Sequence, residues 1–451
     1  MRPRTDRIAV RAALAALLAL LAGPLAAAPE IREWTTDNGA RVLYVQAPEI
    51  PIVDARVTFA AGASRDGDHP GIARLTSNLL MSGTAARDAD ALATAIEQVG
   101  ADVSTGSARD MAWAQMRVLA ESDKLAAAAA RTGELIARPA FPAGEIDRLK
   151  DQQRTSLRNR AQSPGGIASR LFWEAVYGDH PYGHDPLGTS GSLDAIDRAA
   201  IARFHERYYV GANANVAIVG DIGRARAERL ARTLVGDLPR GEPAPALPPV
   251  PELEADRTIR EPFPSTQAHV TIGRPGIARG YADWPALYVA NHVLGGGGFT
   301  SRLFDEVRSQ RGLVYGVSSG FSPMQARGPF RISLQTRGDQ VEQALDVVGD
   351  VFDRFDADGP TADEIDDAVR NITGGFPLRV DSNSDLAGYL SMIGFYGLPT
   401  DYLDRFPERV EAVTAASAHA AFLDALGQRP RVTVIVGGGR ARGGADGAAS
   451  E

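Results

Sequence analysis

LDAIDRAAIARFHERYYVGANANVAIVGD, residues 193–221, and VEAVTAASAHAAFLDALGQRPRVTVIVGG, residues 410–438, read as one local structure written twice. Each gives a capped helix, a turn and an apolar strand, Val216 to Val219 in the first and Val432 to Val436 in the second. Gly220 and Gly437 are 217 positions apart, as are Ile196 and Val413. A constant offset across helix, turn and strand is the mark of an internal repeat. Between the copies, PRGEPAPALPPVP (239–251) carries six prolines, a stiff extended linker that neither a helix nor a central strand tolerates. It divides the chain into parts of similar length.

Within each part, strands come first and helices follow. Asp37-Asn38-Gly39 separates two alternating runs between Trp34 and Gln46, a hairpin signal, and Val53 to Ala60 adds a strand. Helical periodicity covers about 70–82, 87–99, 123–137, 144–162 and 165–177, with strands near 101–106 and 111–119. Thr361-Ala362-Asp363-Glu364 is a capping box that opens a long helix in the second part. Strand runs joined by hairpins predict α+β architecture: two homologous halves, each an antiparallel sheet with helices on one side. The division is a leader over 1–27, a first domain over 28–240, the linker at 241–255, a second domain over 256–437 and a disordered tail over 438–451.

The leader reading rests on Arg2, Arg4, Arg7 and Arg11 before the apolar run Ala12 to Ala22, then Gly23-Pro24 and Ala26-Ala27-Ala28. That order describes a cleaved secretory signal, and the run is too short to span a bilayer. It predicts a periplasmic or secreted protein with no stable membrane anchor. Losing residues 1–27 removes four arginines and Asp6, so the formal charge moves from −8 to −11. An acidic chain argues against nucleic acid as a partner. The chain has no cysteine. Disulfides and a thiol nucleophile are therefore excluded, and any zinc would need histidine and carboxylate ligands.

GGGGFTSRLFDEVRSQRGLVYGV, residues 295–317, carries the first candidate chemistry. Phe299, Leu303, Phe304 and Val307 fall on one helical face, predicting a short amphipathic helix capped by Thr300 or Ser301 and ended by Gly312. A strand from Leu313 to Ser319 then brings Arg308 and Tyr315 to one tight corner. No Gly-Lys-Ser/Thr follows the glycine run, so it reads as a flexible turn rather than a phosphate loop. A surface arginine and a half-buried strand tyrosine are the structural alternative.

The helix opening after Pro70 reads GIARLTSNLLMSGT. Ile72, Leu75, Leu79 and Leu80 make its apolar side, while Arg74, Ser77 and Asn78 have the spacing to converge on the other. This stretch resembles the first signature of the pitrilysin and insulinase family of zinc peptidases, which carries His-x-x-Glu-His here. The resemblance extends through Ala140-Phe141-Pro142, His180-Pro181-Tyr182-Gly183, Tyr208-Tyr209, Gly220-Asp221, Gly295 to Tyr315, Gly359-Pro360-Thr361 and Tyr396-Gly397-Leu398-Pro399. It implies two homologous halves enclosing a peptide-binding chamber, as in the branch similar to the mitochondrial processing peptidase.

The five motif positions hold Arg74, Leu75, Thr76, Ser77 and Asn78, so the zinc motif is degenerate. The family's later carboxylate should fall near Arg154 to Ser156, yet no Asp or Glu lies between Asp151 and Glu174. Of the histidines only His180 and His184 are close, and Pro181 and Gly183 make a loop of them. The expectation is no metal and no cofactor in this chain. The resemblance further implies that Arg308 and Tyr315 bind the substrate backbone, Tyr315 also serving catalysis by supporting the tetrahedral intermediate. It implies a heterodimer with a homologous zinc-bearing subunit that acts on a peptide substrate. A non-enzymatic scaffold or peptide-binding protein of the same fold is the alternative.

Overall fold

A computed structural model of the protein describes residues 30–439; the leader read over 1–27 and the tail beyond 439 lie outside the described residues. Asn38-Gly39 turns β1 (Arg32–Thr35) onto β2 (Arg41–Gln46), with Gly39 at φ +94°, which a side chain resists. β3 (Ile52–Phe59), α1 (Ile72–Leu79), α2 (Ala89–Glu97), and the hairpin β4 (Asp102–Ser107) and β5 (Ala112–Leu119) follow. Then come α3 (Ser122–Ala137), α4 (Ala143–Ala161), α5 (Pro164–Tyr177), α6 (Ser190–Ala195), α7 (Arg198–Tyr208), β6 (Ala214–Gly220) and α8 (Arg224–Val235). Residues 239–254 carry neither helix nor strand.

The second half runs β7 (Arg257–Glu261), β8 (Gln267–Pro275), α9 (Trp284–Asn291), β9 (Val314–Phe321) and β10 (Pro329–Arg337). It continues through α10 (Val341–Asp358), α11 (Ala362–Gly375), α12 (Asn383–Tyr396), α13 (Tyr402–Glu411), α14 (Ala415–Ala425) and β11 (Val432–Gly437). The Thr361 capping box forms as the sequence predicts.

The sheets are ordered β1-β2-β6-β3-β5-β4 and β7-β11-β8-β10-β9, so five strands of the first match the second one for one. α7 and α14 are 217 residues apart at both ends, and α5 and α12 are 219 apart at both ends. The two halves are thus copies in topology as well as in sequence. One expectation needs correction: each sheet contains a parallel pair, β2 with β6 and β7 with β11. The last strand of each half returns through a long helical excursion and enters the sheet interior, a connection that permits a parallel neighbour.

A second correction concerns the sheet faces. Helices cover both sides of each central sheet, and the second cover is exchanged between halves. On β2 and β6, Val42, Tyr44, Val216 and Ile218 join the first half's own core, while Leu43, Val45, Ala217 and Val219 join a core with Leu386, Leu390 and Ile393 of α12. Reciprocally, Ala168, Phe172 and Val176 of α5 pack with Val432, Val434 and Val436 of β11. A strand alternates its side chains between faces, so these runs are apolar throughout because both faces are buried. Polar contacts fix the exchange: Thr58 and Ser391 hydroxyls meet at 2.7 Å in the interior, and Tyr177 Oη donates to the Arg327 carbonyl at 3.1 Å. Among the described residues no helix is long and apolar enough to cross a membrane.

Candidate functional site

The glycine-rich stretch is a packed corner. Asn291 Nδ2 donates to the Ser319 carbonyl at 3.2 Å and Ser319 Oγ donates back to Asn291 Oδ1 at 2.8 Å, pinning the end of α9 to β9. A Cβ at position 295 would lie 2.8 Å from Leu303 Cδ1 and 2.6 Å from Ser319 Oγ, so this close approach requires glycine. The backbone then winds in wide turns over His292–Gly296 and Phe304–Ser309, with Gly297 N bonded to His292 O at 2.8 Å and Gln310 N to Asp305 O at 2.9 Å. Such i→i−5 turns are uncommon and concentrate at functional sites.

The predicted helix is therefore shorter and looser than its periodicity suggests. Ser301 caps it through its carbonyl, which accepts from Asp305 N at 2.9 Å, while its hydroxyl turns back to Gly298 O. Leu303, Phe304 and Val307 are buried, but Phe299 is 78% exposed because Gly298, at φ +62°, turns the chain before the helix begins. Gly312, at φ +64°, ends the segment. Arg308 and Tyr315 meet at this corner: Arg308 Nε donates to the Tyr315 carbonyl at 2.9 Å, and its guanidinium lies 4.8 Å from the Phe304 ring centre. That contact leaves the Arg308 terminal nitrogens and the Tyr315 hydroxyl without a hydrogen-bond partner among the described residues. Tyr315 is 66% exposed rather than half-buried, since its strand is the edge of the sheet.

On α1 the three candidate positions have separate surroundings. Arg74 is exposed, with Arg160 and Asp185 as charged neighbours; Ser77 is fully buried, its hydroxyl unpaired; Asn78 is half-buried. They do not converge on one spot, because α1 is embedded on three sides and only Arg74 reaches its open side. Gln153 on α4 is buried and donates to the Leu187 carbonyl at 2.8 Å. Arg154 is bound to Asp151 and Asp194, so no carboxylate of α4 faces α1 there. Among the described residues no three His, Cys, Asp or Glu side chains gather as a metal site. His180 and His184 have unrelated partners, the Pro248 carbonyl at 3.0 Å and the Asp66 carboxylate at 2.9 Å.

Two polar clusters escape the sequence reading. Asp66 caps α1, accepting from Gly71 N at 2.7 Å and Ala73 N at 2.9 Å as well as from His184. Burial raises its pKa above the ordinary carboxylate range, although His184 and the two amides act against that. Asp110, in the β4–β5 turn, accepts from Tyr182 Oη at 2.5 Å, Gln325 N at 2.7 Å and Tyr396 Oη at 3.1 Å, joining the halves. Burial likewise pushes its pKa up. The only local hint was that Tyr182 and Tyr396 each belong to a short Tyr-Gly motif.

The sequence matches two family descriptions in tandem: "Insulinase (Peptidase family M16)" over residues 41–190 and "Peptidase M16 inactive domain" over residues 195–372. A solved peptidase M16 inactive domain from Pseudomonas fluorescens is 39% identical, superposes with a TM-score of 0.88, and covers 91% of this chain and 98% of its own. The chain belongs to the insulinase (M16) peptidase family. An uncharacterized zinc protease of Streptomyces coelicolor is 28% identical over 90% of this chain and 89% of its own. The periplasmic protease PqqL of Escherichia coli shares the fold, with a TM-score of 0.76 at 15% identity, covering 91% of this chain and 46% of its own.

Zinc, which an insulinase-type peptidase would hold at α1, does not fit these residues. A guanidinium carries a fixed charge of the wrong sign, a buried hydroxyl is a poor ligand, and the one buried, unpaired oxygen of Gln153 cannot by itself replace two imidazoles and a carboxylate. Among the described residues Arg74, Ser77 and Asn78 offer no set of metal ligands, while Arg308 and Tyr315 share one exposed corner.

Proposed function

We propose that this chain is the zinc-free, substrate-binding subunit of a periplasmic heteromeric insulinase-like metallopeptidase. It completes the proteolytic chamber of a homologous zinc-bearing partner. The observation that carries the proposal is the contrast within one chain between a donor set at α1 that suits no metal and an exposed Arg308–Tyr315 corner with free donors. Export is supported by the basic, apolar and small-residue order of residues 1–28.

At the corner, backbone contact between Arg308 Nε and the Tyr315 carbonyl sets the two side chains in register. The remaining guanidinium nitrogens hold carbonyls of an extended peptide, contacts present before the reaction starts. The neutral phenol of Tyr315 donates to the carbonyl oxygen as negative charge develops on it. Exposure of both groups is what a subunit whose substrate arrives with another chain requires.

The purified chain should hold no stoichiometric zinc and cleave no peptide, whereas an equimolar mixture with its zinc-bearing homologue should cleave, with one zinc per pair. Elemental analysis and peptide turnover on the separate and mixed subunits test this. One zinc in the isolated chain with chelator-sensitive cleavage overturns it. A stable mixed assembly no faster than the zinc subunit alone favours the scaffold reading.

A further inference from the structure

A second site lies where the linker passes the turns of both halves. Arg65, Arg279, Gln325, Arg327 and Tyr396 face linker residues including Leu247 across an open cleft of about 810 Å³. Arg65 is only 9% exposed. Among the described residues it forms no ion pair; its Nη2 reaches Gln325 Oε1 at 3.4 Å, and its buried Nε has no partner. Asp110 is a nearby carboxylate, but its oxygens are taken by Tyr182, Gln325 N and Tyr396. Arg279 repeats the pattern: its Nε is buried and unpaired, and its guanidinium rests 5.3 Å from the Tyr396 ring and 6.0 Å from Trp284. Arg327 is neutralised by Glu252 at 2.7 Å, the one acid lining the cleft.

The acid beside Arg65 is Asp110, whose oxygens are already taken by other donors, and Arg279 forms no ion pair among the described residues. Both guanidiniums therefore keep donor capacity that an anion in the cleft would use. The repeat explains their meeting. Val57 faces Val216 and Ile272 faces Thr433, so β3 and β8 are equivalent and Arg65 corresponds to position 280, beside Arg279. The cleft thus sits where equivalent turns of the two halves meet.

Its other walls choose the anion. Leu247, Val250, Phe395, Ala278 and Ala326 supply apolar surface, and the volume exceeds that of a bare inorganic ion. We propose that this cleft is a carboxylate-binding subsite that takes the C-terminal end of a peptide, Arg65 and Arg279 meeting the carboxylate and the apolar walls its last side chain. The proposal rests on the peptide-handling function above, but it concerns binding by this chain alone and so fails or stands independently of any partner.

The test measures binding of an N-terminally labelled, leucine-ended hexapeptide as free acid and as C-terminal amide to the full chain, with inorganic phosphate as a third probe. The free acid should bind about tenfold or more tightly than the amide, as loss of a charge-assisted contact implies. Arg65→Gln and Arg279→Gln should each bring that ratio close to one while leaving amide binding unchanged. Arg279 is the less buried of the two, so Arg279→Gln carries the test if Arg65→Gln does not fold. Equal binding of acid and amide by the wild type overturns the proposal, as does a preference that survives in Arg279→Gln. Arginine-dependent phosphate binding with acid and amide alike assigns the pair to a free anion and also overturns it.

Discussion

Asp110 draws donors from three segments: a loop of the first half, the β9–β10 turn and the end of α12. Asp110→Ala removes the acceptor for the buried Tyr182 hydroxyl, the half-buried Tyr396 hydroxyl and the Gln325 amide, and should cost on the order of 3 kcal/mol. Asp110→Asn keeps an acceptor and should cost less than half of that. Denaturant midpoints at one pH measure both, and an alanine variant as stable as wild type would remove Asp110 from the account. No sequence pattern pointed to it, since its partners lie 72 to 286 positions away. Arg308 and Tyr315 were legible because a glycine-ended helix and a strand place residues seven apart at one corner. Phe299 was misread because periodicity takes no account of a left-handed Gly298 just before it. The separation of Arg74, Ser77 and Asn78 was equally hidden, since helical spacing says which residues are neighbours but not what covers them.

The exchange of α5 and α12 makes each half an incomplete fold. Without α12, the first sheet exposes Leu43, Val45, Ala217 and Val219, all nearly inaccessible in the intact chain. Fragments divided within the linker should therefore aggregate or bind apolar dye when made separately, and should co-purify as a soluble complex when made together. A monodisperse, cooperatively unfolding first half on its own would contradict the exchange. Element types and order were readable from periodicity, turn residues and capping boxes. Which sheet a helix covers was not, because an amphipathic face shows that it needs burial without naming the surface. The trace left in sequence is the unbroken apolar character of residues 42–45, 216–219 and 434–436, which strands covered on a single face do not need.

Acidification should strain the assembled fold at its buried and half-buried imidazoles. His180, His205, His269 and His292 all have pKa values lowered, chiefly by burial. Between the folded value and the ordinary one near 6.5, the unfolded chain binds more protons, so each contribution is complete above about pH 6.5 and is lost as pH falls through the folded value. His205 isolates the effect: its Nε2 lies 2.7 Å from the Ile136 carbonyl, its ring stacks on Tyr209, and Glu206 acts in the opposite sense to burial. The stability advantage of wild type over His205→Gln should therefore shrink between pH 7.5 and pH 5.5; a constant advantage would show that His205 does not titrate differently on folding. On the proposed function, turnover by the assembly turns on Tyr315. Peptide turnover should be measured with Tyr315→Phe placed in this chain and mixed with the zinc-bearing subunit, alongside a size measurement of the complex. Loss of one donor to the developing oxyanion predicts a fall on the order of 10²- to 10³-fold with assembly unchanged. Turnover at the wild-type rate in a fully assembled complex would contradict the account.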